Sequence, residues 1–345
     1  MTSTDATPGC PVRADFDPLS PEYLADPYAI MAELPLAAEP IFYAPSIGCY
    51  VVTRYAEIEQ VFSDPQTYSA AFAQTPLAPL TSKAQQILLA GGHKPQPSMV
   101  SLDEPAHGRL RRPAARAFSV KRVNAMIPAI EATTARLLDA VAGLPEFDLV
   151  AALSFPLPAN IVFSVMGVPE KDFAQLKQWC GYRLALSFGR PAVADQVGLA
   201  TNIAAYRRYL RELVSTKSGA RADDLTSDLL AIRDENPDRL TLDEISSILF
   251  SLSIAGHETT TALISNTLRR LLENRNSWDR MVADPSMIPG AVDETLRFDP
   301  SVTVWRRITT RPAALGGVNL PAGARMFLWL AAAGRDASVF PGPHR

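Results

Sequence analysis

Apolar residues recur at intervals close to 3.6 along most of this chain, which is the spacing of one face of an α-helix. In residues 123–141 they are placed so that one face of a helix packs on a core. The same spacing predicts helices at 21–34, 54–63, 105–118, 123–141, 158–167, 170–188, 196–216, 224–235, 241–274 and 286–298. The chain is therefore predicted to be mainly helical.

Strand signals are few. Two short β-prone runs flank a Pro and Gly turn in residues 39–55, and two more lie in residues 315–331. The segment Phe72–Ser98 holds four prolines and a Gly-Gly pair around one short helical patch, a composition typical of a long functional loop. Because neither a repeat nor a linker divides the chain, the fold class is mainly α with a small β region, in a single domain over 1–345.

Composition and charge narrow the class of protein. The chain has 345 residues, 47% of them apolar, and a formal net charge of -3. This charge gives no reason to expect nucleic acid or an anionic membrane as a partner. We find neither an eighteen-residue apolar run nor a signal peptide, so we expect a cytoplasmic protein without a membrane anchor. The three cysteines are odd in number and far apart, which fits neither a disulfide framework nor a CxxC metal site.

The stretch AGHETTT, residues 255–261, interrupts a long apolar helix with a glycine, an acid and three hydroxyls. Gly256 costs about 1 kcal/mol relative to alanine in a helix, but it lets another group approach the backbone. The Thr259 hydroxyl can bond to a carbonyl one turn back or to a water, and Glu258 beside it can pass protons to a ligand.

Three interpretations of AGHETTT compete. One is a polar helix end that faces solvent. The second is a zinc helix of the H-E-x-x-H type, which fails because Thr261 stands where the second histidine must lie. The third is a groove for oxygen activation, and it needs support from elsewhere in the chain.

A basic run from His107 to Arg122 contains six Arg or Lys residues and no acid. A solvated basic face explains most of them, and nucleic-acid binding is the weaker alternative because aromatic residues are not interleaved. Arginines here can also pair with the carboxylates of a buried ligand, or form a docking patch for an acidic protein.

Four motifs in order together resemble the bacterial soluble cytochrome P450 monooxygenases. AGHETT is similar to the family's [AG]-G-x-[DE]-T-T, and ETLR at 294–297 is similar to its E-x-x-R. DEPAHGRLRRPAARAFS at 103–119 resembles the helix that binds haem propionates. WRRITT at 305–310, followed by LGGVNLPAGARMFLWLAAAGRD at 315–336, resembles the strand region after E-x-x-R. The motifs span some 230 residues.

The resemblance implies specific roles. Glu258 and Thr259 are the expected catalytic residues, which handle protons during oxygen activation. Glu294 and Arg297 would form a buried ion-pair triad with Arg345. The expected haem-binding residues are His107, Arg111, Arg307, Gly256 and Ala255.

The implied reaction inserts one oxygen atom from O2 into a small organic substrate. The cofactor would be haem b, iron protoporphyrin IX, and reducing equivalents would come from NAD(P)H through a ferredoxin or a fused reductase. The substrate pocket would be lined by residues 72–98, 170–216 and 301–305, which are apolar and mixed enough to suit many molecules.

The sequence departs from the family pattern at its end. It closes with AAAGRDASVFPGPHR, whereas the family's loop with the axial cysteine lies after this point. Cys10, Cys49 and Cys180 lack the glycine loop that exposes a sulfur to iron. We therefore expect a truncated chain without a metal ligand of its own, which alone would be inactive. The alternative is a haem-free truncated helical binding module or a decayed gene product.

Overall fold

The computed structural model describes residues 6–91, 98–118 and 120–344, and of residues 116, 117 and 121 only the backbone. The chain divides into two compact units. Unit 1 comprises Met1–Ala78, Ser101–Asp103 and Pro285–Arg345, and unit 2 comprises Pro79–Val100 and Glu104–Asp284. The expected single domain over 1–345 stays a prediction.

Helices dominate the described residues, as the apolar spacing predicts. The α-helices are α1 (Pro21–Ala25), α2 (Pro27–Glu33), α3 (Tyr55–Ser63), α4 (Ser82–Ala90), α5 (Ala106–Ala117), α6 (Val120–Asp139), α7 (Pro156–Met166), α8 (Phe173–Phe188), α9 (Val193–Gly219), α10 (Leu225–Glu235), α11 (Leu242–Glu273), α12 (Arg275–Ala283), α13 (Ile288–Phe298) and α14 (Leu330–Ala333). The strands are β1 (Ile41–Ala44), β2 (Cys49–Val52), β3 (Tyr68–Ser69), β4 (Trp305–Thr309), β5 (Ala313–Leu315), β6 (Val318–Leu320) and β7 (Arg325–Leu328).

Unit 1 is built on a five-stranded sheet in the order β1-β2-β7-β4-β3. Only β2 and β7 run parallel in this sheet, and β5 pairs with β6 in a separate hairpin. Both faces of β1 and β2 are buried, so these strands read as continuous apolar runs. On one face, the Phe16 ring lies 5.3 Å from the Phe42 ring and 5.2 Å from the Trp329 ring, centroid to centroid.

Unit 2 is organised around α11, a helix of 32 residues. It begins with the predicted capping box: the Thr241 hydroxyl accepts from the Glu244 backbone N–H, and the Glu244 carboxylate accepts from the Thr241 backbone N–H. Helices α7, α8, α9 and α10 pack against it. This packing explains why a helix of this length is buried over most of its first half.

Two differences between the predicted and the observed helices have a clear physical cause. The predicted helix at 21–34 is wrong as one element, because Asp26 caps a new helix at Pro27 and separates α1 from α2. Helix α12 was not predicted, since it buries no residue and shows little apolar spacing. In Phe72–Ser98 the helical patch is α4, and residues 92–97 lie outside the described ranges.

Helix α6 differs from its expectation in burial. Its apolar positions were predicted to pack on a core, yet Val123, Ile127 and Leu138 are 44%, 46% and 42% exposed. Ile130, Leu137 and Val141 of the same predicted face are half-buried, and the helix contacts α7. Apolar spacing therefore predicts the helix correctly and its buried face only in part.

Candidate functional site

The middle of α11 carries a half-exposed stripe on a helix that is otherwise largely buried. Ala255 is exposed and Thr259, one turn later, is half-buried. The Thr259 hydroxyl donates to the Ala255 carbonyl across 2.7 Å, which is the back-bond expected from the sequence. The stripe thus offers a small apolar surface next to a hydroxyl that can exchange its hydrogen-bond partner.

Gly256 is explained by packing inside unit 2. A β-carbon built on Gly256 would lie 2.7 Å from Cγ2 of Val162 on α7, which is too close for two carbon atoms. The close approach that the sequence predicted at this glycine is therefore made by Val162. A contact between Gly256 and a cofactor stays a prediction.

We expect Gly256→Ala to lower the free energy of unfolding by about 1 kcal/mol, because overpacking against Val162 outweighs the gain in helix propensity. Val162→Ala in the same chain should relieve the clash and give a coupling of about 1 kcal/mol between the two positions. Urea denaturation midpoints of the four proteins in this cycle measure it. Strictly additive effects would show that the two side chains do not meet.

Glu258 is a carboxylic acid held partly out of water. Its side chain is 22% exposed, and burial raises its pKa above the ordinary glutamate value. A raised pKa favours the protonated form of the carboxyl, which suits Glu258 to proton transfer.

His257 was missed by the sequence analysis as a residue of this site. It is completely buried, with its ring centroid 4.8 Å from that of Phe155 and 6.2 Å from that of Phe163. Burial lowers its pKa to about 4, so the imidazole is neutral at pH 7. Its Nδ1 lies 3.5 Å from the Glu258 carboxylate. Because His257 is uncharged, it does not lower the pKa of Glu258. The sequence signal that could have indicated His257 is a polar residue within an apolar helix.

Helix α5 carries His107 and Arg111 one turn apart, as predicted. The His107 Nδ1 lies 3.1 Å from Oε1 of Glu104, and the Arg111 side chain is exposed. Arg109 instead forms a two-pronged ion pair with Glu244 of α11, in which the longer bond measures 3.2 Å. Arg109 is therefore engaged by Glu244, and only the other residues of the basic run are available to bind a ligand.

Arg307 lies on β4 in unit 1. Its neighbour Arg306 is 1% exposed and donates to the carbonyls of Thr75 and Ala73, which fixes it as a structural residue. Arg307, on the opposite face of the strand, is half-buried and donates to the Arg306 carbonyl across 2.9 Å.

The charge of Arg307 is not compensated locally. Burial lowers its pKa, and Asp103 opposes this effect only through longer-range attraction. Within the described ranges no carboxylate lies within ion-pair distance of its guanidinium. A half-buried guanidinium without a carboxylate at ion-pair distance is suited to bind the carboxylate of a ligand.

The predicted buried triad is wrong for Glu294. Its side chain is 54% exposed, whereas that of Arg297 is 14% exposed. Arg297 donates Nε and Nη2 to the Glu294 carboxylate across 2.8 and 2.5 Å, and Nη1 to the carbonyls of Gly334 and Pro343. The buried partners of Arg297 are thus backbone carbonyls. Arg345, the third expected member, lies outside the described residues.

The three cysteines are free thiols. All three are buried, and burial raises the pKa of Cys10, of Cys49 to about 12 and of Cys180 to about 11. These groups are neutral thiols at pH 7. The described part of the chain contains no cluster of three or more His, Cys, Asp or Glu suited to a metal ion, and none of its helices is long and apolar enough to cross a membrane.

Known proteins resemble this chain in sequence and in fold. The cytochrome P450 family model matches residues 280–345. Cytochrome P450 107B1 of Saccharopolyspora erythraea is 33% identical over 92% of this chain and 76% of its own length. Cytochrome P450 monooxygenase PikC of Streptomyces venezuelae is 32% identical over 98% of this chain and 79% of its own length.

A solved structure gives the same answer for the fold. Cytochrome P450 CREJ, in complex with (4-ethylphenyl) dihydrogen phosphate, superposes with a TM-score of 0.87 and 32% identity, over 90% of this chain and 77% of that one. Agreement in sequence and fold along nearly the whole chain shows that it belongs to the bacterial cytochrome P450 monooxygenases.

Proposed function

We propose that this chain holds a haem and takes part in inserting one oxygen atom from O2 into a small organic substrate. The observation that carries the proposal is the pairing of Glu258 and Thr259 in the middle of α11. A carboxyl with a raised pKa lies there beside a hydroxyl that donates to a carbonyl of its own helix. Family membership agrees with this chemistry.

The residues that would hold haem b fit its chemistry. The cofactor carries two propionates, which need cationic or N–H donors. Arg307 offers a half-buried guanidinium without an acid partner, and Arg111 an exposed one. His107 would have to share its ring with Glu104, and it is therefore the weakest of the three. Ala255 and Gly256 would contribute the apolar surface of α11. When bound, the haem supplies the iron that activates oxygen.

The chain's own contribution to the chemistry is control of a proton. Glu258 holds it, because burial raises the pKa of the carboxyl and so favours its protonated form. Thr259 passes it on, since a hydroxyl can accept one proton while it donates its own. The hydrogen bond to the Ala255 carbonyl fixes the position of this hydroxyl.

Electrons would come from NAD(P)H through a ferredoxin-type or fused reductase. The basic side of α5 supports docking of an acidic partner. Arg111 and Arg112 are exposed on this helix, and Arg112 lines a pocket of about 230 Å³ together with Pro113 and Ile232. Such a positive surface speeds encounter with an acidic protein and loses its effect at high salt.

The proposal is tested with the haem-loaded protein, a ferredoxin with its reductase, NADPH and 18O2. A panel of small organic molecules is supplied, and the products are analysed by mass spectrometry. One 18O atom per hydroxylated product is expected. Reductant consumption that yields only unlabelled products would exclude a monooxygenase.

A further inference from the structure

His257 on α11 is a polar side chain enclosed within unit 2. Its imidazole is completely buried, and in the described part of the chain neither ring nitrogen has a hydrogen-bond partner. The backbone of Phe155 offsets the effect of burial on the pKa of this histidine only in part. Because a buried polar group without a partner lowers stability, an apolar side chain would suit this position better unless the imidazole has a role.

The carboxyl of Glu258 lies next to this imidazole. Its Oε1 is 3.5 Å from Nδ1 of His257, slightly longer than an ordinary hydrogen bond. Over residues 6–91, 98–118 and 120–344, Glu258 has neither a hydrogen bond nor an ion pair with Lys or Arg. A shift of about 0.5 Å, which a small side-chain rotation supplies, brings the two atoms to bonding distance. Each of the two groups therefore has the other as its available partner.

The titratable groups around this pair come from α8 and α9. After burial, repulsion from Lys177 also lowers the pKa of the imidazole, and Cys180 stays a neutral thiol because burial raises its pKa to about 11. On α9, Tyr206 donates to the hydroxyl of Ser253, one turn before the imidazole. Residues 150–166, which include α7 and also pack against α11, contain no titratable side chain. Among the described residues none of these groups forms an ion pair with the carboxyl.

We propose that His257 is a positioning residue for Glu258: its Nδ1 accepts a hydrogen bond from the protonated carboxyl and holds it in one orientation. The ring proton is then on Nε2, since a neutral imidazole has one acceptor and one donor nitrogen. A hydrogen bond to the neutral form of a carboxyl favours that form. His257 thereby keeps the proton on Glu258 until it is passed to Thr259. This last step rests on the proposed monooxygenase function, whereas the hydrogen bond does not.

Titration of the Glu258 carboxyl, followed by 13C NMR in the full chain labelled at glutamate, tests the proposal. The variant Glu258→Gln identifies its signal. We expect Glu258 in His257→Leu to titrate about one pH unit lower than in the parent chain. The neutral carboxyl loses its acceptor there, while leucine, which is similar to histidine in volume, keeps the carboxyl buried. His257→Asn retains a polar atom near the position of Nδ1 and should restore part of the difference.

Thr261→Val is the matched control. Thr261 lies one turn after His257 on the same face of α11, and its hydroxyl is also buried and has no hydrogen-bond partner in the described part of the chain. Its replacement should leave the titration of Glu258 unchanged. Equal changes in Thr261→Val and His257→Leu would overturn the proposal, because they would come from repacking of the helix.

An unchanged or raised pKa of Glu258 in His257→Leu would also overturn the proposal. The first result means that no hydrogen bond forms, and the second that the ring donates to the carboxylate. If His257→Leu does not fold, 15N NMR of the four histidine rings in the parent chain tests the same bond. The ring that remains neutral at acidic pH should carry its proton on Nε2, and a proton on Nδ1 contradicts the proposal. Neither measurement needs haem or oxygen, so the result is separate from that of the oxygen-18 experiment.

Discussion

In a full-length, haem-loaded protein, Thr259→Ala is expected to divert most of the reductant consumed into hydrogen peroxide instead of product. The physical reason is the loss of the Thr259 hydroxyl, which donates to the Ala255 carbonyl across 2.7 Å and can transfer a proton. Oxygen that receives electrons without a correctly placed proton leaves as peroxide. Glu258→Gln, which cannot release a proton, should slow turnover about 100-fold, the lower end of the range for general acid–base catalysis.

The measurements are NADPH consumption, peroxide and product in the same reaction. Thr260→Ala is the control, because Thr260 is the exposed neighbour of Thr259 on the same helix. The control should keep both the rate and the yield of product. If Thr259→Ala and Thr260→Ala behave alike, AGHETTT is no more than a polar stretch of helix.

Arg297→Ala is expected to lower the free energy of unfolding by about 3 kcal/mol. The substitution removes the ion pair with Glu294 and leaves the carbonyls of Gly334 and Pro343 without the donor that the structure gives them, at 2.7 and 3.1 Å. Glu294→Ala should cost only about 1 kcal/mol, because that carboxylate is more than half exposed. The asymmetry between the two partners is the informative result.

Urea denaturation midpoints measure these differences. Arg275→Ala serves as the control, since Arg275 forms an exposed pair with Asp279 across 3.9 Å and should cost less than about 0.5 kcal/mol. Equal losses for Glu294→Ala and Arg297→Ala would restore the buried pair that the sequence suggested. A loss near zero for Arg297→Ala would show that its backbone contacts contribute nothing.

Helix existence and type could be predicted because apolar spacing repeats over many residues, as it does for α9 and α11. The Thr241 capping box was also predictable, since both of its bonds lie within four residues. The division of 21–34 at Asp26 depends on one local cap, and it was overridden by the longer periodic signal. The spacing of apolar residues along one helix does not show which face packs against a neighbour. In α6, apolar positions that were predicted to be buried are therefore partly exposed.

The site was predictable at the level of residue type. Motif order indicated Glu258, Thr259 and Arg307, but the partners of these side chains come from distant parts of the chain. Val162, which packs against Gly256, lies 94 positions earlier in the chain, and the sequence of neither helix predicts this contact. The exposure of Glu294 and the burial of His257 are likewise results of tertiary packing, which a motif does not contain.

Titration of the chain with haem, followed by absorbance in the Soret region, tests the central claim most directly. We predict saturable uptake of one haem per chain, with about tenfold weaker affinity in Arg307→Met, because that variant loses a charge-assisted contact to a propionate. Arg311→Met, which removes an exposed guanidinium four residues later on the chain, should bind haem like the parent chain. The absence of saturable uptake, or equal affinities in Arg307→Met and the parent chain, would contradict the account.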